Sequence, residues 1–185
     1  MADQKIIEKL KKIKLLLLDV DGVLTDGSIT YNDNDVETKT FNVKDGLGIR
    51  ILMKQKIDVA IVTGRSSRAL YRRCEDLGIK LIFDGVKDKA EILSKITIKT
   101  GIDPQNMAFI CDDLPDILLM KKIGLSIAVS DAHKAVINVA DMVTTLKGGN
   151  GAVREICEAI LIAQGLWETI MGSFIKIQTY RPSHK

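Results

Sequence analysis

Two aspartates that follow a run of four leucines are the first residues in this sequence with clear chemical potential. Asp19 and Asp21 come directly after Leu15–Leu18, and Gly22 follows them. In an extended segment, side chains two residues apart project to the same side. Ionised carboxylates at the end of a buried strand need a compensating charge, most simply a metal cation. An Asp-x-Asp pair alone is weak support for catalysis in a chain with 24 acidic residues.

Two other apolar runs also end in groups that bind phosphate or metal. The run 57–63 ends in Thr63, followed by Gly64 and Arg65, and this hydroxyl, flexible peptide and guanidinium suit phosphate oxygens. The run 107–111 is followed by a second acidic cluster, which contains Asp112, Asp113 and Asp116. A helix N-terminus that is capped by aspartate is the simpler interpretation of that cluster.

These groups can act together only if the fold brings them to one place. The carboxyl ends of parallel strands meet at one edge of a sheet, so we expect the three groups to converge there, with Lys89 as a further positive charge. Oxygen ligands favour Mg²⁺ over zinc. A carboxylate nucleophile would take a phosphoryl group from an ester, and a second carboxyl would protonate the leaving oxygen and then deprotonate water. The residues therefore predict magnesium-dependent phosphoryl transfer.

The order of apolar runs and helical patterns predicts the scaffold. Short apolar runs alternate with amphipathic segments, which is typical of an α/β fold with a doubly wound parallel sheet. The predicted strands are 14–20, 57–63, 80–83, 107–111, 125–129 and 142–145. The predicted helices are 3–13, 46–55, 67–77, 89–100, 116–123, 133–139 and 152–164.

One segment interrupts this alternation, and one follows it. Residues 28–41 predict a β-hairpin, because strands 28–31 and 36–41 flank the turn sequence Asn-Asp-Asn-Asp. Residues 167–185 show weak periodicity and are expected to form an extended or partly mobile tail. No linker or repeat divides the chain, so residues 1–185 are expected to be a single domain.

Composition excludes several classes of function. The 27 basic and 24 acidic residues leave a formal charge of +3, which is too mild to require a nucleic-acid partner. No apolar run approaches the roughly 18 residues that a membrane span needs, and no secretory signal is evident. Cys74, Cys111 and Cys157 are widely spaced, which favours reduced thiols over a disulfide framework or a zinc site. These features predict a cytoplasmic protein.

Four of these motifs, in this order, resemble those of the haloacid dehalogenase-like phosphatases: DVDGVLTDG, VTGR, DK and DDLPD. Longer stretches resemble the phosphatases of 3-deoxy-D-manno-octulosonate 8-phosphate (KDO 8-phosphate) within that family: FNVKDGLGIRIL, GLSIAVSDAH and GGNGAVREICEAILIAQG. The resemblance covers about residues 10–166. It implies a capless member that hydrolyses KDO 8-phosphate in lipopolysaccharide biosynthesis and assembles through the hairpin into a homotetramer.

The resemblance also implies a role for each site residue. Asp19 would be the nucleophile and Asp21 the general acid and base. The Mg²⁺ ligands would be Asp19, Asp112 and the main-chain carbonyl of Asp21. Asp113 and Asp116 would order the metal's waters and the loops around them. The remaining roles would be phosphate binding by Thr63, Gly64 and Lys89, and substrate binding by Arg65.

Three alternatives stay open from the sequence. The substrate can instead be the 9-phosphate of a nine-carbon sugar acid. A phospho-accepting receiver domain uses similar residues, although its acidic pair usually precedes the phosphorylated aspartate, and a silent oligomerisation domain would keep only the fold. Two positions depart from the family pattern: Cys111 stands where glycine is usual, and Asn150 where a basic residue is frequent. The glycine-rich turn 148–151 can cradle phosphate, but a flexible turn suffices to explain it.

Overall fold

The structure, a computed structural model, describes residues 2–178. Its strands are β1 (Leu15–Leu18), β2 (Thr30–Tyr31), β3 (Glu37–Thr38), β4 (Asp58–Val62), β5 (Leu81–Phe83), β6 (Met107–Cys111), β7 (Leu125–Ala128) and β8 (Met142–Val143). Its α-helices are α1 (Ala2–Leu10), α2 (Val43–Lys54), α3 (Arg68–Leu77), α4 (Ile92–Thr100), α5 (Ile117–Met120), α6 (Lys134–Val139), α7 (Ala152–Ala163) and α8 (Trp167–Gln178). Short 3₁₀ helices lie at Pro104–Asn106 and Leu114–Asp116.

A six-stranded parallel sheet in the order β5-β4-β1-β6-β7-β8 forms the centre of the molecule. The four leucines of β1 are fully buried, because this strand has neighbours on both edges and helices against both faces. Leu18 pairs with Ile61 of β4 and with Ile110 of β6, so these three strands end at the same level. This register brings the three motifs to one edge. The predicted doubly wound α/β fold is confirmed.

The predicted elements end within three residues of the observed ones, with the exception of the C-terminal segment. The largest changes have local causes. Helix α2 begins at Val43, three residues before its predicted start, because the Asn42 side chain accepts a hydrogen bond from the Lys44 backbone N–H. Helix α4 begins at Ile92, three residues later than predicted. The Asp88 carboxylate accepts a hydrogen bond from the Ala90 N–H and holds the residues before the helix in a turn.

The hairpin lies where the sequence predicts it, between β1 and α2. Strands β2 and β3 pair antiparallel over only two residues each. The Asn32 side chain accepts hydrogen bonds from the N–H groups of Asn34 and Val36, which fixes the turn. Three apolar side chains of the hairpin are about half exposed: Ile29, Tyr31 and Val36.

The prediction of an extended tail is wrong for residues 167–178, which form helix α8. Trp167, Ile170 and Phe174 recur at helical spacing, and Ile170 is buried against the core. The Arg154 guanidinium of α7 lies 5.9 Å from the Trp167 ring centre. The part of that prediction that concerns residues 179–185 lies outside the described residues.

None of the helices between residues 2 and 178 is long and apolar enough to cross a membrane.

Candidate active site

An open cleft of about 470 Å³ lies at the carboxyl edge of the sheet, over the ends of β1, β4 and β6. It is lined by every residue for which the sequence predicts a role: Asp19, Asp21, Thr63, Gly64, Arg65, Lys89, Asp112, Asp113 and Asp116. These residues lie together because β1, β4 and β6 are parallel neighbours whose carboxyl ends stand side by side.

Three carboxylates and one ammonium group form the floor of the cleft. Carboxylate oxygens of Asp19, Asp112 and Asp116 lie within 4.8 Å of one another. The Lys89 Nζ lies 2.6 Å from an oxygen of Asp19 and 2.6 Å from an oxygen of Asp116. Asp19, Lys89 and Asp116 are each less than 10 % exposed, so these charges interact with little solvent screening.

The cluster is electrostatically unbalanced. Burial, together with the charges of Asp19 and Asp116, raises the pKa of Asp112 to about 7. Burial and the charge of Asp19 likewise raise the pKa of Asp116 to about 7. The pKa of Lys89 is raised as well, because its two carboxylate partners more than offset burial, which acts to lower it. One ammonium group therefore lies among three carboxyl groups. The pKa values of two of them, Asp112 and Asp116, are raised, so their charged forms are disfavoured.

A divalent cation would remove this imbalance. The donor set contains carboxylate oxygens and neither histidine nor thiolate, and this is the chemistry that Mg²⁺ prefers. The oxygens of Asp19 and Asp112 are close enough together to share one ion. The residues present therefore fit a magnesium ion.

The cleft also carries groups suited to a phosphate. Thr63 follows β4 and is buried; its backbone N–H donates to the carbonyl of Phe83 in β5, and its carbonyl accepts from the Val86 N–H. Gly64 exposes its peptide beside it, and the Arg65 N–H is 3.4 Å from the Thr63 hydroxyl oxygen. Thr63, Gly64 and Lys89 thus present a hydroxyl, a peptide and an ammonium group to one cavity.

Comparison with known proteins identifies the family of this chain. A family model described as haloacid dehalogenase-like hydrolase matches residues 82–156. The 3-deoxy-D-manno-octulosonate 8-phosphate phosphatase of Escherichia coli strain K12 is 46% identical over 170 residues, which are 92% of this chain and 90% of that protein. The chain belongs to the haloacid dehalogenase-like hydrolases.

Solved structures point to the same branch of this family. A 3-deoxy-D-manno-octulosonate 8-phosphate phosphatase from Moraxella catarrhalis, in complex with magnesium, phosphate and KDO, is 45% identical, with a TM-score of 0.90 over 92% of this chain and 98% of that one. A cobalt-bound phosphatase of the same kind from Haemophilus influenzae is 43% identical, with a TM-score of 0.85 over 90% of this chain and 99% of that one.

The helix-capping interpretation of the second acidic cluster holds for one residue of this haloacid dehalogenase-like hydrolase, and the metal role of the cluster stays a prediction. Asp113 is exposed and caps the 3₁₀ helix that follows, because its carboxylate accepts a hydrogen bond from the Leu114 N–H at 2.8 Å. Asp116 is buried and contacts Lys89 directly, a contact that the sequence did not predict. Cys111 is buried and is the last residue of β6. With cysteine at this position, the carboxylate of the next residue, Asp112, lies beside that of Asp19.

The glycine-rich turn packs against the loop that follows β1, residues 19–27, and does not line the cleft. A side chain on Gly148 would place its Cβ 1.7 Å from the Gly22 carbonyl oxygen. The Gly148 N–H donates to the Asp131 carboxylate, and the Asn150 side chain donates to the Gly148 carbonyl. The Asn150 side chain therefore stabilises the turn by a hydrogen bond inside it. His133 caps α6 through its Nδ1, as a helix-start role predicts.

Sequence reasoning missed two hairpin residues that reach the site. Lys39 forms ion pairs with Asp21 and Glu37, and Glu37 also pairs with Arg65. The signal was present, because residues 37 and 39 are two apart and therefore project to the same side of an extended strand. Charges of opposite sign at that spacing predict a paired polar face.

The raised pKa of Asp112 predicts that Mg²⁺ binding depends on pH. Below pH 7 a proton occupies this carboxyl, whose neighbours are Asp19, Asp113, Asp116 and Lys89, and the cation must displace that proton. We expect the affinity of the metal-free protein for Mg²⁺ to rise about tenfold between pH 6 and pH 8, with proton release on binding. Calorimetric titration in two buffers of different ionisation enthalpy measures both quantities. An affinity that stays constant across this range would contradict the pKa of Asp112.

Proposed function

We propose that this protein is a magnesium-dependent phosphomonoesterase that hydrolyses KDO 8-phosphate to KDO and inorganic phosphate. One observation carries the proposal: all nine predicted site residues line a single cleft in a chain that is 46% identical to a KDO 8-phosphate phosphatase over 92% of its length. The complex of the Moraxella catarrhalis relative with magnesium, phosphate and KDO supports the same substrate and metal.

In this proposal, Asp19 is the nucleophile and Asp21 is the general acid and base. Asp19, Asp112 and the main-chain carbonyl of Asp21 would hold Mg²⁺, which would neutralise part of the charge on the phosphoryl oxygens and on Asp19. Asp113 and Asp116 order the surrounding loops and waters. The remaining contacts are phosphoryl binding by Thr63, Gly64 and Lys89, and substrate binding by Arg65.

Two half-reactions follow from these roles. An Asp19 oxygen attacks phosphorus, the bond from phosphorus to the ester oxygen breaks, and Asp21 gives that oxygen its proton. The products of this step are KDO and a phosphorylated Asp19. Water then attacks phosphorus as Asp21 accepts its proton, and Asp19 leaves as a carboxylate. Lys89 stays beside Asp19 in both steps and offsets the negative charge that gathers there.

Phosphate release from a panel of sugar-acid phosphates, with and without Mg²⁺, tests the proposal. We expect kcat/KM for KDO 8-phosphate to exceed that for the 9-phosphate of a nine-carbon sugar acid, and activity to disappear on removal of the metal. A clear preference for the nine-carbon ester would change the substrate. One phosphate released per chain would indicate a receiver domain, and no release from any ester would indicate a silent module.

We further propose a single domain that assembles into a homotetramer in the cytoplasm, with a role in lipopolysaccharide biosynthesis. One continuous hydrophobic core from Leu10 to Ile170 supports a single domain. The half-exposed Ile29, Tyr31 and Val36 on the hairpin supply an apolar surface for assembly. Light scattering should give the mass of a tetramer, and replacement of Tyr31 by aspartate should shift it to smaller species.

A further inference from the structure

Four charged side chains connect the hairpin to the loops that follow β1 and β4. The Lys39 Nζ forms an ion pair with Asp21 and lies 3.0 Å from Glu37. Glu37 also contacts Arg65 at 2.7 Å, and the Arg65 Nε lies 3.6 Å from Asp21. The hairpin thus contributes Glu37 and Lys39 to an alternating set of charges around Asp21.

Lys39 is unlike the other members of this set, because its side chain is only 2% exposed. Arg65, at the rim, is 44% exposed. A buried ammonium group is costly unless it is paired, and Lys39 has a carboxylate on each side. Its position is therefore fixed from both sides, and so is that of the Asp21 carboxyl it contacts.

This arrangement holds the Asp21 side chain in one place. Asp21 stands on a loop after β1 and has 24% of its side chain exposed. Lys39 is the closer of the two cations at its carboxyl, since the Arg65 contact is 3.6 Å long. A general acid is effective only within hydrogen-bond reach of the leaving oxygen, so the direction of this carboxyl matters as much as its presence.

We propose that Lys39 is a positioning residue for Asp21, through which the hairpin sets the geometry of proton transfer. This inference rests on the function proposed above. Lys39 does not line the cleft and does not touch substrate; it acts by keeping the Asp21 carboxyl directed at the ester oxygen. Loss of Lys39 then slows the step in which that oxygen leaves with the Asp21 proton, and leaves phosphoryl binding and Mg²⁺ binding intact.

Comparison of two esters with different leaving groups distinguishes a positioning role of Lys39 from a purely structural one. The sugar oxygen of KDO 8-phosphate is a poor leaving group and needs a proton, whereas p-nitrophenolate leaves without one. The ratio kcat/KM reports steps up to the first irreversible one, which is departure of the alcohol. We expect Lys39→Met to lower kcat/KM about 100-fold for KDO 8-phosphate and less than about threefold for p-nitrophenyl phosphate.

Matched variants complete the experiment. Lys39→Arg keeps the charge and should recover most of the loss, and Lys44→Met removes an exposed lysine and should match the wild type. Lys39→Gln gives the same comparison if the methionine variant does not fold. Equal losses on both esters, no loss, or no recovery with arginine would overturn the proposal. If the wild type hydrolyses only non-sugar esters, the proposed function fails, and glycerol phosphate replaces KDO 8-phosphate as the alkyl ester in this comparison.

Discussion

Replacement of Asp19 by asparagine is expected to abolish turnover while the protein keeps its fold. The amide has the size of the carboxylate but is a poor nucleophile, so the phosphorylated intermediate cannot form. We expect kcat to fall by at least about a thousandfold. Phosphate release under multiple-turnover conditions, with Mg²⁺ present, measures this loss.

The fold should survive because the local charges permit it. Lys89 keeps Asp116 as a partner at 2.6 Å when the charge of Asp19 is removed, and the repulsion among the three carboxylates decreases. Thermal unfolding of Asp19→Asn should therefore stay close to that of the wild type.

Asp58→Asn is the matched control, because Asp58 is exposed at the start of β4, at the opposite edge of the sheet. It should retain full activity. Turnover of Asp19→Asn within tenfold of the wild type would remove Asp19 from the role of nucleophile.

The sheet and its motifs could be predicted from the sequence because they depend on local patterns. The four leucines of β1 are apolar without alternation, which indicates a strand buried on both faces. Once β1, β4 and β6 are parallel neighbours, the convergence of Asp19, Thr63 and Asp112 follows from topology alone. The site could therefore be predicted before any distance was known.

The features that the sequence did not predict depend on contacts between distant segments. Helix α8 has apolar residues at helical spacing, but its packing on the core through Ile170 is a contact with distant segments that the local pattern does not reveal. The contacts of Lys39 with Asp21 and of Glu37 with Arg65 depend on how the hairpin folds over the site. The close approach of Gly148 to Gly22 likewise requires knowledge of where the two turns meet.

Gly22→Ala is expected to disrupt the metal site through a single methyl group. A Cβ on Gly22 would lie 2.0 Å from the Oδ2 of Asp112 and 2.5 Å from its Cγ. The clash involves two atoms of one carboxylate, so the Asp112 carboxylate must move from its observed position beside Asp19. We expect Mg²⁺ affinity and kcat/KM to fall about 100-fold. Calorimetric titration with Mg²⁺ and steady-state kinetics at several Mg²⁺ concentrations measure the two losses.

Gly22→Ala would also strain the backbone. The control Gly78→Ala separates this strain from the clash with Asp112. Gly22 has φ +78° and Gly78 has φ +80°, so a side chain costs about 1 kcal/mol of strain at either position. A Cβ on Gly78 meets nothing within 4 Å, and this residue ends α3, away from the cleft. Gly78→Ala should lower the melting temperature and leave Mg²⁺ affinity unchanged. Equal Mg²⁺ affinities for both variants would show that Asp112 does not hold the metal from its observed position, because the clash exists only at Gly22.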